Sequence, residues 1–97
     1  MTFAEFEKTL SDKVPPTGAS PSVAALWHLA RGDWDRAHRI VQDDSSAAAA
    51  WVHAHLHRIE GDEWNAGYWY GRAGRPHSRL DLEDERRELV AALWPAG

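Results

Sequence analysis

Three side chains in this chain have the spacing to share one metal ion. His53, His57 and Glu60 stand at i, i+4 and i+7, which on a helix stacks them along one flank. Two imidazoles a turn apart can ligate one cation, and a carboxylate a turn later can be the third ligand. The pattern is not that of a zinc protease: His53-Ala54-His55-Leu56-His57 lacks the Glu that H-E-x-x-H places after the first histidine. The flank lies about 100° from the centre of the helix's apolar stripe. The plainer reading is therefore a half-exposed surface on which Glu60 supports His57 as an i,i+3 pair. His55 falls nearer the apolar stripe and reads as a hydrogen-bonded core or interface residue.

A second group runs from Trp64 to Leu80, a stretch without Asp or Glu that holds Trp64, Tyr68, Trp69, Tyr70, Arg72, Arg75, His77 and Arg79. Arginines interleaved with aromatics can grip phosphate or stack on bases. The following helix, however, begins with Asp81, Glu83, Asp84, Glu85 and Glu88. The simpler expectation is ion pairing between the basic loop and that acidic helix start. Within the stretch, Trp64 and Tyr68 form an i,i+4 pair on the side opposite Ala66, Tyr70 and Ala73, with Gly67 and Gly71 beside them. Glycine inside a helix costs roughly 1 kcal/mol relative to alanine, so close approach of another element is expected there. Either the last helix packs its Leu82-Leu89-Leu93 stripe on this face, or Trp64, Tyr68, Arg72 and Arg75 offer a surface to a partner or ligand.

No enzyme is read from these residues. The chain has no Cys, no G-x-S-x-G and no glycine-rich phosphate loop, and most Ser and Thr fall at predicted caps or turns. No cofactor is implied. A net charge of −4 gives no general attraction to nucleic acid or anionic lipid. Ala47 to Val52, the longest low-polarity run, is too short to span a bilayer. Thr2 to Phe6 carries no basic region or apolar core of a signal peptide. The expectation is a cytoplasmic protein that binds neither nucleic acid nor membrane.

The elements that must position these residues are all helical. Gly32-Asp33 followed by Ala37 recurs 29 residues later as Gly61-Asp62 followed by Ala66, a helix-turn-helix repeated at a fixed period. Thr2 with Glu5 opens a first helix as a capping box. Ser20 with Pro21 opens a second, which Gly32 ends. Asp33 caps a third, Ser46 a fourth that Gly61 ends, and Asp62 a fifth that Gly74 ends. Ser78 or Asp81 caps a sixth. Expected core residues are Phe6, Leu10, Leu26, Leu29, Trp34, Ala37, Val41, Val52, Leu56, Ile59, Ala66, Trp69, Tyr70, Leu89 and Leu93. Six Trp supply the buried area that a 97-residue domain without disulfides needs.

The second unit, with Ala66, Tyr70 and Ala73 followed by Pro76, resembles the second helix of tetratricopeptide-like repeats. In the first unit Ala37 and Val41 match, but Asp44 replaces the second small residue, and the period is shorter than the family's. The resemblance covers about residues 22–76. The segment from Trp51 to Asp62, with Tyr68-Trp69-Tyr70, is also similar to a group of small uncharacterised bacterial proteins, which implies no activity. The expected architecture is one all-α domain of about six helices. Two tetratricopeptide-like hairpins at about 22–42 and 47–73 stack on each other, with terminal helices covering the ends. The repeat resemblance implies a non-catalytic module that binds a protein or peptide, or a second copy of itself. The alternative is a small-molecule or metal site at His53, His57 and Glu60 with neighbouring aromatics.

Overall fold

Five of the six helices begin where a side-chain oxygen meets the free N–H groups of a first turn. This holds throughout the computed structural model, which describes residues 2–94. Thr2 and Glu5 form the reciprocal capping box of α1 (Phe3–Lys8), which runs into a 3-10 turn at Thr9–Ser11. Ser20 caps α2 (Pro21–Ala30), Asp33 caps α3 (Trp34–Gln42), Ser46 caps α4 (Ala47–Ile59) and Asp62 caps α5 (Glu63–Ala73). Before α6 (Leu82–Leu93), Asp81 takes the capping position without a side-chain bond, and Ser78 accepts from the Leu80 N–H at 3.3 Å.

The repeated Gly-Asp performs the same task twice. Gly32 and Gly61 sit at φ +86° and +81°, the left-handed region open to glycine. The following Asp33 and Asp62 N–H groups donate back to the carbonyls of His28 and His57, at 3.0 and 2.9 Å. One dipeptide thus closes one helix and caps the next, so α2/α3 and α4/α5 are connected by minimal turns.

The domain is all-α, and among the described residues there is no strand. The most extensive contacts between successive helices are α4 with α5 and α2 with α3, a pairing compatible with two hairpins. No helix among the described residues is long and apolar enough to cross a membrane.

The centre of the domain is α4. Every residue from Ala49 to His57 is buried, because α2, α3, α5 and α6 all pack on it. This alters the expected core. Ile59, at the helix end, is 39% exposed, and Leu10, Leu29, Trp34, Trp69 and Leu93 are only partly covered. Trp27 and Trp51, which the periodicity did not single out, are buried. The terminal helix α1 is held by its buried Phe6. The turn after it is tied to α2 by Trp27 Nε1 donating to Thr9 O at 3.1 Å and by Arg31 donating to the Leu10 and Asp12 carbonyls.

At the heart of the packing lies a fully buried carboxylate. Glu85 of α6 accepts from His55 Nδ1 at 2.7 Å, Arg58 Nη1 at 2.8 Å, Trp51 Nε1 at 3.3 Å and the Tyr70 hydroxyl. Burial by itself would raise its pKa. The donors outweigh burial and hold it at about 2. Burial and the Glu85 carboxylate together push the Tyr70 hydroxyl upward, so it stays a donor. We expect Glu85→Ala to destabilise the domain by about 3–5 kcal/mol, because a buried Arg58 loses its counter-charge. Urea denaturation followed by far-UV circular dichroism measures this.

Candidate functional site

On the far side of α4 from His55, three imidazoles meet. A two-residue step turns a helix by about 200°, so His53 and His57 face away from the Glu85 cluster. Their rings stack on each other at 4.9 Å between centroids. From α3, His38 presents an edge-on ring to His53 at 4.7 Å and to His57 at 5.8 Å. His38 stands there because Asp33 starts α3 at that point and because Trp34, one turn before, anchors α3 to α4. The Trp34 indole donates to Leu56 O at 2.9 Å and stacks on the His38 ring at 5.0 Å. From α5, Trp69 stacks on His53 at 3.9 Å. One ring nitrogen from each of His38, His53 and His57 lies within 4.8 Å of the others.

The surroundings of His38 and His53 favour their neutral form. Burial, with the adjacent His38 and His57 acting in the same direction, lowers the pKa of His53 to about 4. Burial, followed by His57, lowers that of His38. Neutral imidazole is the form that offers a lone pair to a metal. His53 Nδ1 is buried without a hydrogen-bond partner among the described residues. Such atoms are rare in native proteins and call for a ligand or ion.

Glu60 has a different place from the one its spacing suggested. Its carboxylate lies 2.5 Å from His57 Nδ1, on the outer side of that ring, and groups with His57 and Asp62 rather than with His38 and His53. A carboxylate only accepts, so the His57 Nδ1–H donates to Glu60. That is the carboxylate–histidine arrangement that orients metal-binding imidazoles. Asp62 is committed as a cap, accepting from Asn65 N at 3.1 Å and Asn65 Nδ2 at 2.6 Å. The third imidazole is therefore His38, which the spacing on α4 alone did not reveal. Its signal was its position one turn after Trp34, a residue read as inward-facing.

The aromatic–arginine group does not converge on this centre. Trp64 is 79% and Tyr68 49% exposed, because α6 packs mainly on α4, α2 and α1 instead of covering α5. The expectation that the last helix masks this face is overturned. Arg72 donates to the Tyr68 hydroxyl at 3.0 Å and lies over the Tyr68 and Trp69 rings. Arg75 lies on the far side of α5, its guanidinium 3.4 Å from the Trp51 ring centroid. The expected pairing of Arg72, Arg75 and Arg79 with the acidic start of α6 is also absent among the described residues. The arginines that pair there are Arg58 with Glu85 and Arg87 with Glu83. The element close to Gly67 is His77, whose Nδ1 would lie 3.4 Å from an added Cβ; its Nε2 meets Glu63 at 2.6 Å. Gly71 faces open space.

Comparison with protein-family models, with curated proteins and with solved structures finds no match in any of the three.

The burial of His53 and Glu85 sets a two-stage acid response. The folded pKa of His53, about 4, lies below the unfolded value of about 6.5. The unfolded chain therefore takes up that proton first, and stability falls as pH drops from 6.5 to 4, by about 3 kcal/mol in full. Glu85, held at about 2, adds stability above its unfolded value near 4.5 that is lost between there and 2. In urea titrations at pH 7.5, 5.5, 4 and 2.5, His53→Phe, which retains the stack on Trp69, is expected to flatten the upper stage and leave the lower one.

Proposed function

We propose that this protein binds a first-row transition-metal ion through His38, His53 and His57, with Glu60 orienting His57. The observation that carries this reading is the convergence of three imidazoles around a buried, unpartnered His53 nitrogen. An all-nitrogen donor set suits Zn²⁺, Cu²⁺, Ni²⁺ or Co²⁺ and disfavours Mg²⁺ and Ca²⁺, which require oxygen ligands. Tetrahedral coordination at about 2.0–2.1 Å brings ligand nitrogens to about 3.4 Å of one another. The ring nitrogens therefore close by up to about 1.4 Å from the 4.8 Å that now bounds them, a movement within reach of side-chain rotation. Trp34 and Trp69 stack on two of the three rings and keep the centre in an apolar setting, which strengthens the metal–ligand interaction. The three ligands leave a fourth position for water or a further donor.

A second reading rests on a separate observation, the exposure of Trp64 and Tyr68 on α5. Aromatic residues standing free beside Arg72 are the groups that anchor protein interfaces. That supports a partner-binding face of the kind the repeat resemblance implies, with a second copy of the chain as the simplest occupant.

Two experiments test these readings. Cobalt titration followed by visible absorption, with zinc competition, is expected to give one site per chain. His38→Ala, His53→Ala and His57→Ala should each abolish the tetrahedral bands, and Glu60→Gln should weaken affinity 10- to 100-fold. Titrations indifferent to all four substitutions would refute the centre. For the α5 face, native mass spectrometry of the full chain is expected to show a dimer that Trp64→Ala converts to monomer. A wild-type monomer across micromolar concentrations removes self-association.

A further inference from the structure

We infer that the groove between α2, α4 and α6 binds a short aliphatic carboxylate. It is a cavity of about 350 Å³, walled by Leu29, Ile59 and Leu82 with His55, Glu83 and Arg86. The site lies on the His55 side of α4, shares no residue with the imidazole centre and does not depend on a metal.

The walls are apolar and open. Ile59 and Leu82 are each 39% exposed, although both stand at the ends of helices whose inner turns are buried. Leaving branched aliphatic side chains facing a concave space costs the burial that a ligand's alkyl chain would restore, about 25 cal/mol per Å². Over these walls stands a cation without a counter-charge. Arg86 makes no ion pair or hydrogen bond among the described residues, and its Nε is cut off from solvent without a partner. The nearby carboxylates are already engaged. Glu83 pairs with Arg87 at 3.5 Å, and Glu85 is saturated by Arg58, His55, Trp51 and Tyr70. His55, fully buried, forms part of the lining and spends its Nδ1 hydrogen on Glu85.

These features select a ligand class. An arginine side chain without an ion pair gains most from a carboxylate, which its planar guanidinium can hold with parallel hydrogen bonds. An amine would meet the Arg86 charge, and a neutral alcohol would leave most of it uncompensated. The apolar walls require an alkyl body, so inorganic phosphate or acetate lacks the contacts that the leucine and isoleucine side chains provide. A chain of about four to eight carbons fits a cavity at the small end of the range for ligand pockets.

The test is two-dimensional amide NMR of the full-length protein titrated with sodium hexanoate, and separately with hexanol and hexylamine. Hexanoate is expected to shift the Leu29, Ile59 and Leu82 amides and to bind roughly tenfold more tightly than hexanol, as a charge-assisted pair should. In Arg86→Met, the hexanoate affinity should fall to that of hexanol while hexanol is unchanged. Wild-type protein that binds hexanoate no better than hexanol, or shifts elsewhere in the structure, overturns the inference. So does an Arg86→Met variant that keeps the wild-type preference.

Discussion

Placing α4 at the centre of so small a domain requires every polar group on that helix to find a partner inside. Glu85 meets that requirement on one side. A fully buried carboxylate is expensive unless its lone pairs are filled, and here three residues of α4 and the Tyr70 hydroxyl of α5 fill them. The same contacts fix α6 against the middle of the domain. Arg58 extends the tie by donating to Leu80 O at 2.6 Å, which holds the loop that leads into α6. Arg75 then lies across the Trp51 ring. The position of the last helix therefore follows from one ion and its donors more than from the shape of an apolar stripe.

The opposite side of α4 leaves that requirement partly unmet. His53 and His57 are buried, yet among the described residues the one carboxylate hydrogen-bonded to either ring is Glu60, on His57. The interior of the cluster holds imidazole against imidazole and indole. Burial disfavours protonation of His38 and His53, and their imidazole neighbours act in the same direction. A group satisfied by an ion pair, such as Glu85, stabilises the fold. A group kept neutral and unpaired costs stability and is retained where it has another use. The buried atoms lacking partners, His53 Nδ1, Arg58 Nε and Arg86 Nε, fall on three different sides of α4 and α6, and two of the three border the sites argued above.

The position of α6 also decides what α5 shows to solvent. In stacked hairpins, the second helix of a unit carries a second apolar face for the unit that follows. Here α5 has that face in Trp64 and Tyr68, but α6 is drawn across α4 by Glu85 and does not follow the stack. Arg72 lies over Tyr68 and Trp69, linking the exposed ring to the one that covers His53. The aromatic surface and the imidazole centre are thus two sides of one short layer of stacked rings.

Local chemistry, acting within a few residues, was legible in the sequence. Six helices, five of their N-caps and the paired Gly-Asp turns follow from side-chain oxygens that accept from first-turn N–H groups, left-handed glycines and 3.6-residue spacing. So did the closeness of His53, His57 and Glu60, since one helical turn separates them. Tertiary structure decided the rest. Whether Glu60 faces the same point as His53 or the outer edge of His57 depends on how the turn at Gly61 places the residue that caps the end of α4. The third imidazole, His38, comes from another helix, and no spacing within α4 encodes it. Ile59 and Trp51 exchanged their expected places because burial along α4 depends on four neighbouring helices and not on one stripe. Glu85 looked like one acid among several at a helix start. It became the centre of the fold because Trp51, His55, Arg58 and Tyr70, 15 to 34 residues away in sequence, all donate to it.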